Sequence, residues 1–183
     1  GTRSRELPSV KMDGTHVIGY REAMVLPKQP KEMVIIGSGA IGMEFAYFYN
    51  TIGTKVTIVE FMNRILPIED EDVSKAMATT YKKKGVTVMT ESSVEKVDVV
   101  GDRCIVTVKT KTGEEKLECD IVLSAAGVQT NLENLGIEEM GIKVSKSVKH
   151  LGVCLSNQKR NLCKQVGGKR GAKALDTAKR IAT

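Results

Sequence analysis

Three glycines and one acid have the types and spacing to do chemistry: Gly37-x-Gly39-x-x-Gly42, and Glu60 at the end of an apolar run. Gly37 follows the run Met33–Ile36 and permits a tight turn where a Cβ would be costly. Gly39 lets the backbone approach a pyrophosphate, and Gly42 lets a following helix pack close against the preceding strand. The start of that helix offers free N–H groups and the positive end of its dipole to phosphate oxygens. Glu60 lies 23 residues beyond Gly37, near the spacing of an acid that accepts from a ribose hydroxyl. A lone GxGxxG is a weak signal. Here strand, helix, second strand and terminal acid all accompany it, so the segment is expected to bind a dinucleotide.

The acid also selects the ligand. A 2′-phosphate charge about 4 Å from Glu60 would be repelled by ~4 kcal/mol at an effective dielectric of ~20. Solvent screening in an open groove reduces this to about 1–2 kcal/mol, which is roughly tenfold in affinity. NAD is therefore expected over NADP.

The elements that position these groups can be read around them. Pro27 and Pro30 mark a boundary, preceded by a lead-in over residues 1–27 with a short helix near Arg21–Val25. A helix is expected over Ala40–Thr51, with Ile41, Phe45, Phe48 and Ile52 on its buried face and Gly53 as its stop. A strand over Lys55–Glu60 follows. The acidic run Glu69–Asp72 suits a second helix start, Val73, Ala76, Met77, Thr80 and Tyr81 its buried stripe, and Lys82–Lys84 its last turn before Gly85. Residues 85–90 read as a strand. The period then changes to two: Val94–Val100, Cys104–Thr110 and Glu114–Leu117 form a β-meander, and Ile121–Gly127 is a buried strand ending on glycine. The expected fold class is α/β, a Rossmann-like parallel sheet with flanking helices and an inserted antiparallel meander.

The chain has 183 residues, 41% hydrophobic and 27% charged, which is ordinary for a soluble globular protein. No apolar run is long enough for a membrane span, and a cytoplasmic location is expected. The net charge of +6 is unevenly placed: residues 152–183 hold eight Lys/Arg against Asp176 alone, whereas residues 1–151 hold 20 basic and 21 acidic side chains. Cys104, Cys119, Cys154 and Cys163 form no CxxC pair. Cys104 and Cys119 share strand parity with apolar neighbours and read as small core residues; Cys154 and Cys163 suggest no role. His16 and His150 stand alone, and neither a catalytic nor a metal site is expected.

Over residues 1–148 the chain resembles the pyridine nucleotide-disulfide oxidoreductases, and within them the dihydrolipoyl dehydrogenases. The likeness is carried by Gly1-Thr-Arg-Ser-Arg-Glu-Leu-Pro8, by Tyr20 through Gly42, and by Ser124-Ala-Ala-Gly-Val-Gln-Thr-Asn131. Val128 and Thr130 stand where the family usually has Arg and Pro. The resemblance implies that Gly37, Gly39, Ala40, Ile41 and Gly42 form the pyrophosphate turn. It implies that Glu60 takes the adenosine ribose, that Phe61 and Val94 flank the adenine, and that Gly127 approaches the nucleotide. Glu44 would sit near nicotinamide and flavin; read from the residues alone it is an acid in the first helical turn.

The expected organisation is a lead-in (1–27), which the resemblance implies is a remnant of a flavin-binding segment, an NAD-binding domain (28–148), and, where the resemblance stops, a basic tail of unknown origin (149–183), in which only a helix near Ala172–Ile181 suggests itself. The tail lacks the family's flavin-side sequence and reads as a truncated, out-of-frame or appended segment. The family's Cys-x4-Cys pair, its catalytic His–Glu pair and its first FAD-binding glycine motif find no match here, so the isolated chain is expected to be inactive. The parent would hold FAD on other domains, oxidise dihydrolipoamide, and act as a homodimer within a 2-oxo acid dehydrogenase complex. The alternatives are the same domain from an NADH oxidase or another disulfide reductase, or a non-enzymatic basic module. The last is disfavoured for nucleic acid because the tail has no aromatic residue to stack on bases.

Overall fold

The computed structural model describes residues 2–134 and 136. Their elements are β1 (Thr2–Ser4), β2 (Val17–Ile18), α1 (Tyr20–Ala23), β3 (Glu32–Ile36), α2 (Ala40–Thr51), β4 (Lys55–Val59), α3 (Glu71–Lys83), β5 (Thr87–Met89), β6 (Ser93–Val100), β7 (Arg103–Thr110), β8 (Gly113–Cys119), β9 (Ile121–Ser124) and β10 (Val128–Thr130). The chain divides into two compact units, residues 1–129 and 130–183. The readings made for residues 149–183, with Cys154, Cys163 and His150 among them, lie outside the described residues.

In the first unit a five-stranded sheet runs β2-β9-β3-β4-β5 with every neighbouring pair parallel. The antiparallel meander β6-β7-β8 covers one face of it. This is the α/β architecture expected from the sequence. Strands buried on both faces read as continuous apolar runs, and β3 is the example. Met33 and Ile35 pack with Val56, Ile58, Leu123 and the helix residues Met43, Ala46 and Tyr49. Val34 and Ile36 face the other way, onto Val59, Val122 and the meander's Cys104, Val106 and Val108. The strict alternation of β7 follows, because one face of the meander is buried and the other is partly open.

Two helix faces differ from the sequence expectation. In α2 the buried residues are Gly42, Met43, Ala46 and Tyr49; of the expected face, Ile41 and Phe45 pack half-buried against the same core, while Phe48 and Ile52 are exposed. Gly42 must face the Gly37 turn, where an added Cβ would overlap the Gly37 carbonyl oxygen. That contact sets the rotation of the helix and brings residues 43, 46 and 49 inward. In α3, Ser74 and Tyr81 are buried, Met77 and Ala78 half-buried, and Val73, Ala76 and Thr80 exposed. The anchors are polar: Ser74 donates to the Leu66 carbonyl at 3.2 Å, and Tyr81 Oη to the Met43 carbonyl at 2.7 Å. Hydropathy periodicity does not register such anchors. The lead-in also contributes β2, an edge strand beside β9 that its two residues were too short to announce.

Candidate functional site

The parallel strands end level with one another. Ile36 is opposite Val59 on one side and Ser124 on the other, and Val59 is opposite Met89. From β3 the chain proceeds outward through α2 to β4 and later returns from the meander to β9 on β3's opposite side. A reversal of strand order of this kind opens a crevice at the carboxyl ends, and the loops after β3, β4 and β9 meet there.

The three glycines have distinct physical roles. Gly37 has φ +99°, and a Cβ on it would lie 2.8 Å from the Ala125 carbonyl oxygen. Its N–H donates to the Val59 carbonyl at 2.9 Å, joining the turn to β4. Gly42 is required by its contact with Gly37. Gly39 differs from both: it has φ −69° and ψ −179°, and an added Cβ would meet nothing within 4 Å. The fold itself does not require glycine at this position.

Gly39 is the N-cap of α2, and no side chain caps the helix there. Ala40, Ile41 and Gly42 form its first turn, whose N–H groups have no partners within a helix. That turn contains no acid. Glu44 is the fifth helical residue, exposed in the second turn, so its reading as a first-turn acid is corrected. The helix starts at Ala40, as expected, and counting from there puts Glu44 just beyond the first turn of four residues. The positive end of the helix is thus left without a compensating charge of its own.

Glu60 is only 7% exposed. Its Oε2 accepts from the Ser38 N–H at 2.8 Å and the Ser38 hydroxyl at 2.6 Å, and its Oε1 accepts from the Met62 N–H at 2.8 Å. Three donors compensate its loss of water. A carboxylate has about four acceptor positions, so capacity for a further hydroxyl remains. Glu60 therefore ties the glycine turn to the end of β4. Ser38, fully buried between two of the glycines, is its main partner and was missed by sequence reasoning. A small hydroxyl residue inside the glycine motif, with an acid ending the next strand, is the signal that could have revealed it.

The remaining candidates gather at the same strand ends to different degrees. Phe61 is 75% exposed. Val94 is buried against the meander and Val59, but Ser92 N–H donates to the Glu60 carbonyl at 3.0 Å and brings the start of β6 to this rim. Gly127, with φ +106°, ends the β9 loop, and its carbonyl accepts from the Arg5 N–H at 3.0 Å. Ser124, the last residue of the same strand, carries the buried side-chain oxygen without a hydrogen-bond partner among the described residues. No group of three metal-ligating side chains occurs among them. A cleft of about 560 Å3 lies elsewhere, lined by Glu6, Asp13, Arg21 and Glu22 among others, and includes none of the motif glycines.

The pyridine nucleotide-disulphide oxidoreductase family model matches residues 1–150, and the chain belongs to that family. The family's proteins are oxidoreductases that use FAD and NAD(P). The chain is 38% identical over 147 residues to a dihydrolipoyl dehydrogenase of Zymomonas mobilis, covering 80% of this chain and 32% of that protein. Its fold is similar to the crystal structure of LpdA from Mycobacterium tuberculosis, with TM-score 0.71, 29% identity, and coverage of 80% of this chain and 31% of that one. It is also similar to the Cu(II) complex of the flavoprotein disulfide reductase RclA from Escherichia coli, with TM-score 0.70, 29% identity, and coverage of 80% and 33%. The chain thus spans about a third of the length of the relatives it matches.

Proposed function

We propose that this chain is the NAD-binding part of a dihydrolipoyl dehydrogenase-like flavoprotein. The observation that carries the reading is the uncapped N-terminus of α2, headed by a glycine the fold does not need, beside a carboxylate with acceptor capacity to spare. A pyrophosphate fits the first feature and a ribose hydroxyl the second. NAD, when bound, supplies a nicotinamide ring able to take a hydride.

Gly37 and Gly42 hold the turn, Gly39 gives the phosphates access, and the N–H groups of Ala40, Ile41 and Gly42 donate to their oxygens. Glu60 accepts from the adenosine ribose and disfavours a 2′-phosphate by about 1–2 kcal/mol. Phe61 and Val94 border the adenine, Gly127 borders the far side of the crevice, and Glu44 faces the nicotinamide end. We assign the FAD to other parts of the parent, a homodimer that oxidises dihydrolipoamide within a 2-oxo acid dehydrogenase complex. The similarity to a flavoprotein disulfide reductase supports a second reading, in which the same domain serves another disulfide reductase.

Amide NMR of the 15N-labelled chain titrated with NAD tests the assignment. Shifts concentrated at residues 37–42, 60–62 and 125–127 are expected. Shifts confined to the cleft around Asp13 and Arg21, or none at saturating ligand, would overturn it.

A further inference from the structure

The meander contains a chemical pair that the nucleotide reading does not use. Cys104 on β7 and Cys119 on β8 are directly opposed in the antiparallel register, and their side chains share the buried face. Both are free thiols, 0% and 1% exposed. Opposed residues in an antiparallel pair have Cα atoms about 4.5–5.5 Å apart, inside the ~4.4–6.8 Å that disulfides span. The strands therefore already meet the main geometric demand of a bond between them. Cys104 has little competing engagement, since its contact with the His16 carbonyl is a long 4.0 Å.

A cleft approaches one member of the pair. Cys119 lines a cleft of about 300 Å3 between the start of the parallel sheet and the meander, with Lys55, Arg103 and Lys116 among its other walls. Arg103 is anchored by Glu32 at 2.7 Å and Asp120 at 3.0 Å. Asp120 in turn accepts from the Lys31 and Glu32 N–H groups at the entry to β3. The cleft thus opens at the amino ends of the strands, whereas the glycine turn lies at their carboxyl ends.

We propose that Cys104 and Cys119 are a modification site, closing to a reversible cross-strand disulfide on exposure to a hydroperoxide. The sulfur that reacts first does so as its thiolate. It attacks one oxygen of hydrogen peroxide, the O–O bond breaks, and the departing hydroxide takes up the thiol proton as water. The sulfur of the opposed cysteine then attacks this sulfenic acid: the S–S bond forms, the S–O bond breaks, and the hydroxyl leaves with the second thiol's proton as a second water. The two cysteines together lose two electrons, and the peroxide gains them.

The test is peptide mapping of the full chain after treatment with hydrogen peroxide, without reduction, on the native sequence and on a Cys154→Ser/Cys163→Ser variant. The readout is mass and needs no nucleotide. The expected result in both is a linked peptide pair joining Cys104 to Cys119, lighter by two hydrogens and restored to free thiols by dithiothreitol. Thiols that stay free, separate oxidation to sulfinic acids, or bonds from either cysteine to another partner would overturn the proposal.

Discussion

Gly39→Ala is expected to leave the fold intact while removing nucleotide binding. The added Cβ meets nothing within 4 Å, and φ is −69°, so neither a clash nor left-handed strain opposes it. Alanine is a poorer N-cap than glycine by about 0.5–1 kcal/mol. Against this, it restricts the unfolded chain by about 0.4–1 kcal/mol. The two terms cancel to within about 1 kcal/mol, a change in Tm of no more than ~2–4 °C for a domain of this size. The methyl group would nevertheless stand where a pyrophosphate must approach the backbone, and a loss of tenfold or more in NADH affinity is expected, about 1.4 kcal/mol or above. Gly42→Ala is the contrast, because its Cβ overlaps the Gly37 carbonyl oxygen and the helix must move, at about 1–3 kcal/mol. Thermal melts paired with NADH fluorescence titrations separate the two effects. Gly39→Ala protein that binds NADH like the parent, or that melts as early as Gly42→Ala, would refute the reasoning.

Glu60→Gln replaces one acceptor oxygen with a donor facing the Ser38 or Met62 N–H, and the loss of charged hydrogen bonds should cost about 1.5–3 kcal/mol in denaturant unfolding as well as weaken NADH binding. Ser124→Ala removes a buried hydroxyl without a partner among the described residues and should be neutral or stabilising by up to about 1 kcal/mol; a clear loss of stability would show that the hydroxyl is engaged. Burial raises Asp13 and Asp120, but N–H donors from Thr15, Val17 and His16, and from Glu32 and Lys31 with the Arg103 guanidinium, outweigh it and hold both below the usual carboxylate range. Glu32 is lowered by its hydrogen bonds from Arg103 and Lys55. Groups lowered by folding add stability above their unfolded values, about pH 4, and lose it as pH falls through the folded values. Acid unfolding followed by circular dichroism should therefore begin below about pH 4, and Arg103→Gln should move its midpoint to higher pH.

Residues 33–60 were legible because each physical demand there has a local signature: a run of apolar residues buried on both faces, glycines at a tight turn, and an acid ending a strand. The meander was legible for the same reason, through alternation in β7. Helix rotation was not. Gly42 and Tyr81 orient α2 and α3 through a backbone contact and a hydroxyl–carbonyl bond, neither of which contributes to an apolar stripe. The role of Ser38 was hidden because its partner is 22 residues away. β2 escaped because two residues cannot show a period and its place depends on β9, more than 100 positions later. Opposition of Cys104 and Cys119 likewise emerges only once the β7–β8 register is fixed.

The most direct test of the nucleotide site is calorimetric titration of the chain with NADH and NADPH under the same salt conditions. Saturable binding of NADH, tighter than NADPH by roughly tenfold, is the expected result given the repulsion between Glu60 and a 2′-phosphate. Equal or tighter binding of NADPH, or no saturable binding of either, would contradict the assignment of the glycine turn and Glu60 to NAD.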